Sequence, residues 1–252
     1  MSRIVFAASA LVAALALLSA RAAEPAHPDT TGEWRLLVPQ YPADRNCSPL
    51  TSLFGSWDDV DGTRREEAHT GVDGGRLGEP ILAPAAGVII GVWRANWGWG
   101  QEGALLIRHT KADLGLSEGP DFYYSEFDHL RYRDIRSITV GSKVARGERL
   151  ATVSRPGGNG DYQPEVHWEV ASIEDDAATI WSRNKFGGKS WKNDTGRLVN
   201  PLQMMSLNAP PREDGGVDIP VFQPSRDYRS FRGFTYILPC PKQPKPGKKP
   251  AR

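Results

Sequence analysis

An imidazole and a carboxylate stand four residues apart in the segment AHTGVDGG, residues 68–75. His69 and Asp73 are side-chain types that bind zinc. Each glycine of the segment disfavours a helix by about 1 kcal/mol relative to alanine, so the pair is expected on a loop that enters a strand. Residues four apart in a straight strand are separated by ~13 Å, so the chain must bend near Thr70 and Gly71 if both side chains share one ion.

A second segment, PEVHWEV at residues 164–170, alternates polar and apolar residues. The alternation predicts a strand with one wet face and one core face. Glu165, His167 and Glu169 are expected on the wet face, because successive side chains point to opposite sides of a sheet. His167 is therefore a candidate third metal ligand, with Glu165 beside it.

A histidine also ends the aromatic segment FYYSEFDHL, residues 122–130. Taken alone, His129 is interpreted as an ordinary surface or hydrogen-bonded residue. Trp93, Trp97 and Trp99 could form an aromatic wall beside a site, although core packing and turn formation account for them equally well.

Short apolar runs separated by Gly, Pro, Asn and Asp predict a mainly antiparallel β-sheet domain. The runs cover residues 80–93, 103–109, 122–130, 149–154 and 166–171. Helix is scarce, and only 173–184 and 200–206 have room for short ones.

The N-terminus resembles a secretory signal peptide. Arg3 precedes an apolar run over residues 4–20, and the small-residue pattern Ala20-Arg21-Ala22 predicts cleavage after Ala22. A membrane anchor usually needs ~20 apolar residues, so we expect a periplasmic or secreted protein without a stable membrane span. In such a compartment, Cys47 and Cys240 are more often a disulfide than a metal pair.

The 252 residues contain 31 Lys and Arg against 30 Asp and Glu. This balance argues against a strongly basic nucleic-acid binder and against an acidic disordered protein. The tail PKQPKPGKKPAR, residues 241–252, is basic and Pro-rich, which predicts disorder or polyproline II. It is either merely solvated or attracted to an anionic polymer of the bacterial envelope.

Several segments, in order along the chain, resemble motifs of the LytM/lysostaphin-type zinc metallopeptidases, which cleave peptide bonds of peptidoglycan. These segments are LFG (53–55), HTGVD (69–73), PILAPAAGVI (80–89), LLIRH (105–109), HL (129–130), VGSKVARGERL (140–150) and VNPL (199–202). The resemblance covers about residues 51–205. It implies an all-β fold of the duplicated hybrid motif, β-sandwich-like, with a few short helices in insertions.

The resemblance also implies a zinc ion held by His69, Asp73 and His167, with a fourth position left for water. His129 falls where the family has a histidine that assists catalysis, plausibly by hydrogen-bonding the oxyanion. Glu165 stands where the family has the first histidine of its H-x-H motif. Glu165 either serves as the general base or binds the metal and closes the open position.

The expected organisation is a signal peptide (1–22), a Pro-rich lead-in (23–50), a peptidase domain (51–205) with an insertion (171–198), a C-terminal extension (206–240) and the basic tail. The expected function is zinc-dependent hydrolysis of peptidoglycan peptides. The alternative is a catalytically impaired module of the same family that regulates another cell-wall hydrolase. A carrier-type β hairpin around Lys143 lacks the Met-flanked lysine of such domains.

Overall fold

The structure of the chain is a computed structural model that describes residues 36–158, 160 and 162–243. The expected signal peptide, the first part of the lead-in (23–35) and the end of the basic tail (244–252) lie outside the described residues.

The described residues form fourteen β-strands and two short α-helices. The strands are β1 (Val38–Gln40), β2 (Leu50–Ser52), β3 (Gly71–Gly74), β4 (Pro80–Leu82), β5 (Gly87–Ala95), β6 (Glu102–Thr110), β7 (Phe122–Leu130), β8 (Lys143–Val144), β9 (Arg149–Thr152), β10 (Val166–Ile173), β11 (Thr179–Arg183), β12 (Lys189–Asn193), β13 (Arg197–Leu198) and β14 (Gly216–Asp218). The helices are α1 (Tyr132–Ile135) and α2 (Pro201–Met205), and single 3₁₀ turns cover Pro156–Gly158, Asp176–Ala178 and Ser206–Asn208.

One eight-stranded sheet organises the molecule, in the order β2-β3-β10-β7-β6-β5-β8 with β13 also paired to β10. All its pairings are antiparallel. Two-stranded sheets join β4 to β9, β11 to β12 and, in parallel, β1 to β14. The prediction of a mainly antiparallel β fold with few short helices is confirmed.

Short helical elements lie in both segments where the sequence has room for them. α2 lies within 200–206, where the Asn200 side chain accepts a hydrogen bond from the Leu202 N–H at its start. The segment 173–184 contains a short 3₁₀ turn, Asp176–Ala178, and then β11. Thr179, Ile180 and Trp181 favour a strand at that point.

The two faces of the large sheet differ in character. One face packs on the main core through Leu105, Phe127 and Trp168, all fully buried. The opposite face is apolar at one end, where Trp93 and Leu106 form a second cluster. Its other end carries polar side chains, and burial alternates over residues 166–169 at the start of β10, as the sequence predicts.

A hairpin of β11 and β12 covers the apolar end of that second face. The Trp93 indole N–H donates to the Lys189 carbonyl (2.9 Å), and the Trp93 and Trp181 rings meet edge to face at 5.1 Å. This hairpin makes up most of the insertion expected at 171–198. The hairpin also borders the polar end of the same sheet face, where Trp191 contacts Glu126.

The C-terminal extension is integral to the main core. Phe234, Tyr236 and Ile237 are buried there, and the Leu82 N–H donates to the Ile237 carbonyl (2.8 Å). Cys240 forms a disulfide with Cys47, across 193 positions of sequence. The expected pairing of the two cysteines is therefore confirmed. Among the described residues, no helix combines the length and apolar character needed to span a membrane.

We expect the paired replacement Cys47→Ser/Cys240→Ser to lower the free energy of unfolding by about 2–5 kcal/mol, because the crosslink closes a long loop of the unfolded chain. Urea unfolding of the oxidised protein and of the variant measures the difference. Reductant should shift the midpoint of the original protein and leave that of the variant unchanged. Identical midpoints for oxidised protein and variant would contradict the expectation.

Candidate metal centre

The register between β3 and β10 brings two of the predicted ligands together. Asp73 on β3 stands directly opposite His167 on β10. His69 precedes β3 on a loop that is fixed by two backbone hydrogen bonds, from the His69 N–H to Ser56 (2.9 Å) and from the Gly55 N–H to His69 (2.8 Å). The loop supplies the bend that the sequence requires between His69 and Asp73.

The three side chains converge on one point. His69 Nε2 lies 3.1 Å from Asp73 Oδ2 and 3.1 Å from His167 Nδ1. His167 Nδ1 lies 2.8 Å from Asp73 Oδ1. One ligand atom from each residue falls within 4.8 Å of the others, which makes this group able to hold a metal ion. Two imidazole nitrogens and one carboxylate oxygen are a donor set that suits zinc.

The remaining nitrogen of His69 is held by residues of β2 and of the segment that follows it. His69 Nδ1 lies 3.1 Å from both the Leu53 carbonyl oxygen and Ser52 Oγ. Donation of the Nδ1–H to the carbonyl leaves the lone pair of Nε2 for the metal. Such outer hydrogen bonds fix the tautomer and orientation of a ligating histidine.

Gly71, the glycine between the two ligands of the HTGVD segment, allows β3 to approach β10 closely. A Cβ at this position would lie 2.4 Å from the Trp168 carbonyl oxygen and 2.9 Å from the His167 ring. Any side chain there would displace the backbone of β10 or the imidazole. The glycine therefore serves the geometry of the metal centre.

Asp73 and His167 form a buried ion pair. Burial opposes ionisation of Asp73, but hydrogen bonds from His167 and His69 outweigh it and hold the pKa of Asp73 well below its usual value. Burial likewise disfavours the charged form of His167, but the hydrogen bond to Asp73 raises the pKa of His167 well above its usual value.

His129 reaches the same cleft through a β-bulge. The pairing of β6 with β7 shifts register between Gly103 and Leu105, so β7 carries an extra residue there. His129 has a φ of 61°, the left-handed conformation. A bulge re-aims a side chain next to a site. Without it, alternation would place His129 on the core face with Phe127.

Glu102 is a functional candidate that the sequence did not indicate. Its Oε2 lies 2.9 Å from His129 Nδ1, and the Gly157 N–H donates to the same oxygen (3.1 Å). Burial lowers the pKa of His129, but the hydrogen bond and charge of Glu102 outweigh it, so the pKa is raised. Glu102 belongs to no periodic pattern with His129, and the two meet only because β6 and β7 pair.

Glu165 lies on the opposite side of His129 from Glu102. Its Oε1 is 3.9 Å from His129 Nε2, and its backbone N–H donates to the Ser154 carbonyl (2.9 Å). Burial, reinforced by the charge of Asp73, raises the pKa of Glu165 to about 7. The described group of side chains that could hold a metal ion consists of His69, Asp73 and His167, without Glu165.

A cleft of about 550 Å³ opens over these residues. Its charged lining is mostly acidic, with Asp59, Glu66, Glu67, Asp73, Glu126, Asp128, Glu165 and Glu169 against Arg65 and Lys185. Trp97 and Trp99 line it as well, and the Trp99 ring meets His129 edge to face at 5.2 Å. Trp93 is buried in the second cluster instead. Two of the three tryptophans considered as an aromatic wall therefore border the cleft.

Arg65 is a cationic side chain beside the proposed metal ligands. Arg65 Nη2 lies 3.5 Å from Asp73 Oδ2 and 3.1 Å from Asp59 Oδ1, a contact that no sequence pattern indicated.

His109 is fully buried away from the cleft, with Nδ1 2.6 Å from the Ala86 carbonyl oxygen and Nε2 3.0 Å from Ser125 Oγ. Burial lowers the pKa of His109 to about 4, so this histidine is a neutral core residue.

No family model matches the sequence. No curated protein matches it either. Among solved structures, the chain is similar to a zinc-containing peptidase from Vibrio cholerae (24% identity over 55% of this chain, TM-score 0.36), and it spans only 37% of that protein's length. It is also similar to LytU (20% identity, 67% of this chain and 88% of that one, TM-score 0.41).

A third similar structure is the catalytic domain of the antimicrobial peptidase lysostaphin from Staphylococcus simulans (17% identity, 63% of this chain and 90% of that one, TM-score 0.35). All three TM-scores lie below 0.5. These similar structures include peptidases of the LytM/lysostaphin type, which is the family that the sequence motifs of this chain resemble.

Proposed function

We propose that this protein is an exported zinc metallo-endopeptidase that hydrolyses peptide bonds of bacterial peptidoglycan. The observation that carries the proposal is the convergence of His69, Asp73 and His167 in a cleft that also contains a carboxylate and an imidazole. Peptidoglycan as the substrate rests on the ordered sequence motifs. The disulfide suits a periplasmic or secreted location, since such bonds persist in oxidising compartments.

His69, Asp73 and His167 would hold the zinc ion. Zinc supplies a Lewis acid for the scissile carbonyl and lowers the pKa of water toward ~7. The chain contributes the orientation of its donors: Leu53 and Ser52 hold His69, and the strand pairing holds Asp73 against His167. Three protein ligands are the number typical of a catalytic rather than a structural zinc site.

Glu165 is the proposed general base and His129 the proposed oxyanion donor. A pKa of about 7 suits a group that accepts a proton from water at neutral pH. The raised pKa of His129 favours the protonated imidazole, whose Nε2–H would donate a hydrogen bond to the developing negative charge. The 3.9 Å between Glu165 Oε1 and His129 Nε2 places both groups at the same part of the cleft.

We propose that the chain has the domain organisation that the sequence predicts. Residues 1–22 would direct export, and 51–205 would form the peptidase unit with its insertion at 171–198. The extension 206–240 packs into the main core of that unit, so we propose that it folds with the domain rather than apart from it. The basic tail would add weak attraction to an anionic envelope polymer.

We expect the zinc-loaded protein to release soluble fragments from purified peptidoglycan. A chelator and the His167→Ala variant should both abolish release, because each removes the metal. Glu165→Gln should retain zinc and lose about 10²–10⁴-fold in rate, the usual contribution of a general base. Metal analysis of each preparation accompanies the turbidity and fragment assays. Equal release by all preparations, with or without chelator, would refute the proposal.

Zinc affinity should fall as the pH falls. The pKa of His167 is raised, so the metal-free site holds a proton that zinc must displace. Acidification favours the protonated imidazole, and affinity should drop by about tenfold per pH unit for each proton released. Competition with a chelating dye across a pH series around neutrality measures this dependence. A constant affinity over the series would contradict the assigned ligands.

Glu102→Gln should reduce hydrolysis by about 10–100-fold while leaving the zinc content unchanged, since it removes the charge that orients and protonates His129. Glu118→Gln, at an exposed position, removes the same charge elsewhere and should retain full activity. The alkaline limb of the pH–rate profile should also move to lower pH in Glu102→Gln, because the pKa of His129 falls. An unmoved profile would remove Glu102 from the proposed mechanism.

Regulation of another cell-wall hydrolase is the second candidate function. It is favoured by Glu165 at the place of the family's first H-x-H histidine. In that case, peptidoglycan is not cleaved, and the protein stimulates a separate hydrolase equally well before and after Glu165→Gln. Loss of cleavage with zinc retained in Glu165→Gln would instead support catalysis.

A further inference from the structure

Three carboxylates lie side by side in the cleft beyond the proposed metal ligands. Glu126 on β7 stands directly opposite Glu169 on β10, and Asp128 stands directly opposite His167. All three acids line the cleft. They share the face of the sheet that carries His167, because each is an even number of residues from a paired position on that face.

Two of these carboxylates each have one oxygen without a hydrogen-bond donor. Glu126 Oε1 and Asp128 Oδ1 are buried atoms without a hydrogen-bond partner among the described residues. The side chains belong to residues that are only 6% and 7% exposed. The other oxygen of Glu126 accepts a hydrogen bond from the Trp191 indole N–H, which fixes the carboxylate in place. A buried carboxylate oxygen without a donor is costly, so a ligand that donates to it is strongly favoured.

Arg65 and Lys185 are engaged elsewhere in the cleft, whereas His167 Nε2 lies 3.9 Å from Glu169 Oε2. Arg65 contacts Asp59 and Asp73, and the Lys185 ammonium lies over the Phe186 ring at 5.2 Å. No ion pair joins either of them to Glu126, Asp128 or Glu169 within the part of the chain that the structure describes. Glu126 Oε1 and Asp128 Oδ1 therefore remain available to an additional hydrogen-bond donor.

The spacing and surroundings of the acids favour an ammonium group over a metal ion. Among the described residues, His69, Asp73 and His167 have ligand atoms close enough together to hold one metal ion. Glu126, Asp128 and Glu169 are not part of that group. A primary ammonium has three N–H donors, so it can bridge more widely spaced oxygens. Trp191 lines the cleft beside Glu126, and an aromatic ring adds cation–π attraction for such a group.

We propose that Glu126, Asp128 and Glu169, together with Trp191, form a subsite that binds a primary ammonium group of the peptide substrate. The inference rests on the proposed function, because the subsite adjoins the metal centre where the peptide bond would be cut. The ammonium group belongs to the side chain of a diamino acid or to a free peptide N-terminus. The ammonium group would donate charge-assisted hydrogen bonds to the carboxylate oxygens that have no partner within the described residues.

Binding of small probes to the zinc-loaded full chain tests the subsite without any requirement for catalysis. Nα-acetyl-lysine methylamide presents a side-chain ammonium, and alanine methylamide presents an N-terminal one. Each is compared with its fully acetylated counterpart by calorimetry. We expect one amine probe to bind at least about tenfold more tightly than its acetylated form, and the preferred probe identifies the source of the ammonium.

The double variant Glu126→Gln/Asp128→Asn should abolish the preference for the amine, whereas Glu118→Gln should preserve it. Equal binding of amine and acetylated probes by the original protein overturns the subsite, and this comparison needs no variant. A second zinc ion per chain that is lost in the double variant also overturns it, since the acids would then bind metal.

Peptidoglycan hydrolysis separates this inference from the proposed function. Cleavage of native peptidoglycan with the same rate after acetylation of its free amines refutes the subsite and leaves the peptidase intact. Absence of cleavage in every sample refutes the peptidase, while the probe affinities still decide whether the ammonium subsite exists.

Discussion

The antiparallel register between β3 and β10 is the constraint on which the site depends. It sets Asp73 opposite His167, and the neighbouring register with β7 sets Asp128 opposite the same histidine. A slip of one residue would turn His167 into the core and Trp168 into the cleft. Trp168 is fully buried and stacks on Phe127 at 6.1 Å, so the packing of the core face holds the polar face in position.

That register has an electrostatic cost. It gathers carboxylates on one end of a sheet face where burial raises the pKa of Asp128 to about 7 and the pKa of Glu126 well above its usual value. Like charges on neighbouring strands destabilise a fold unless protons or cations accompany them. Titratable groups whose pKa is shifted by burial and by neighbouring charges are candidates for a functional site.

Period-two alternation was enough to predict the strand at 164–170 and the face of His167, because that strand is regular. The same rule fails at His129, where the bulge in β7 reverses the face of one residue and leaves no mark in the residue types. Glu102 contacts His129, and Arg65 reaches the cleft, only through tertiary pairing, so no local spacing predicts either residue. The hairpin of β11 and β12 was also missed, since its exposed strands lack the apolar alternation that a half-buried strand shows.

Support for the metal centre extends to the C-terminal end of the described chain. Cys240 is bonded to Cys47, and the Tyr236 hydroxyl donates to the Ser48 carbonyl (2.6 Å). These contacts anchor the segment that continues into β2, whose last residue, Ser52, contacts His69 Nδ1 together with the adjoining Leu53 carbonyl. The extension thus fixes the backbone that orients a proposed ligand. Long-range covalent and hydrogen-bonded anchors are one way to hold an imidazole within the narrow tolerance that metal binding requires.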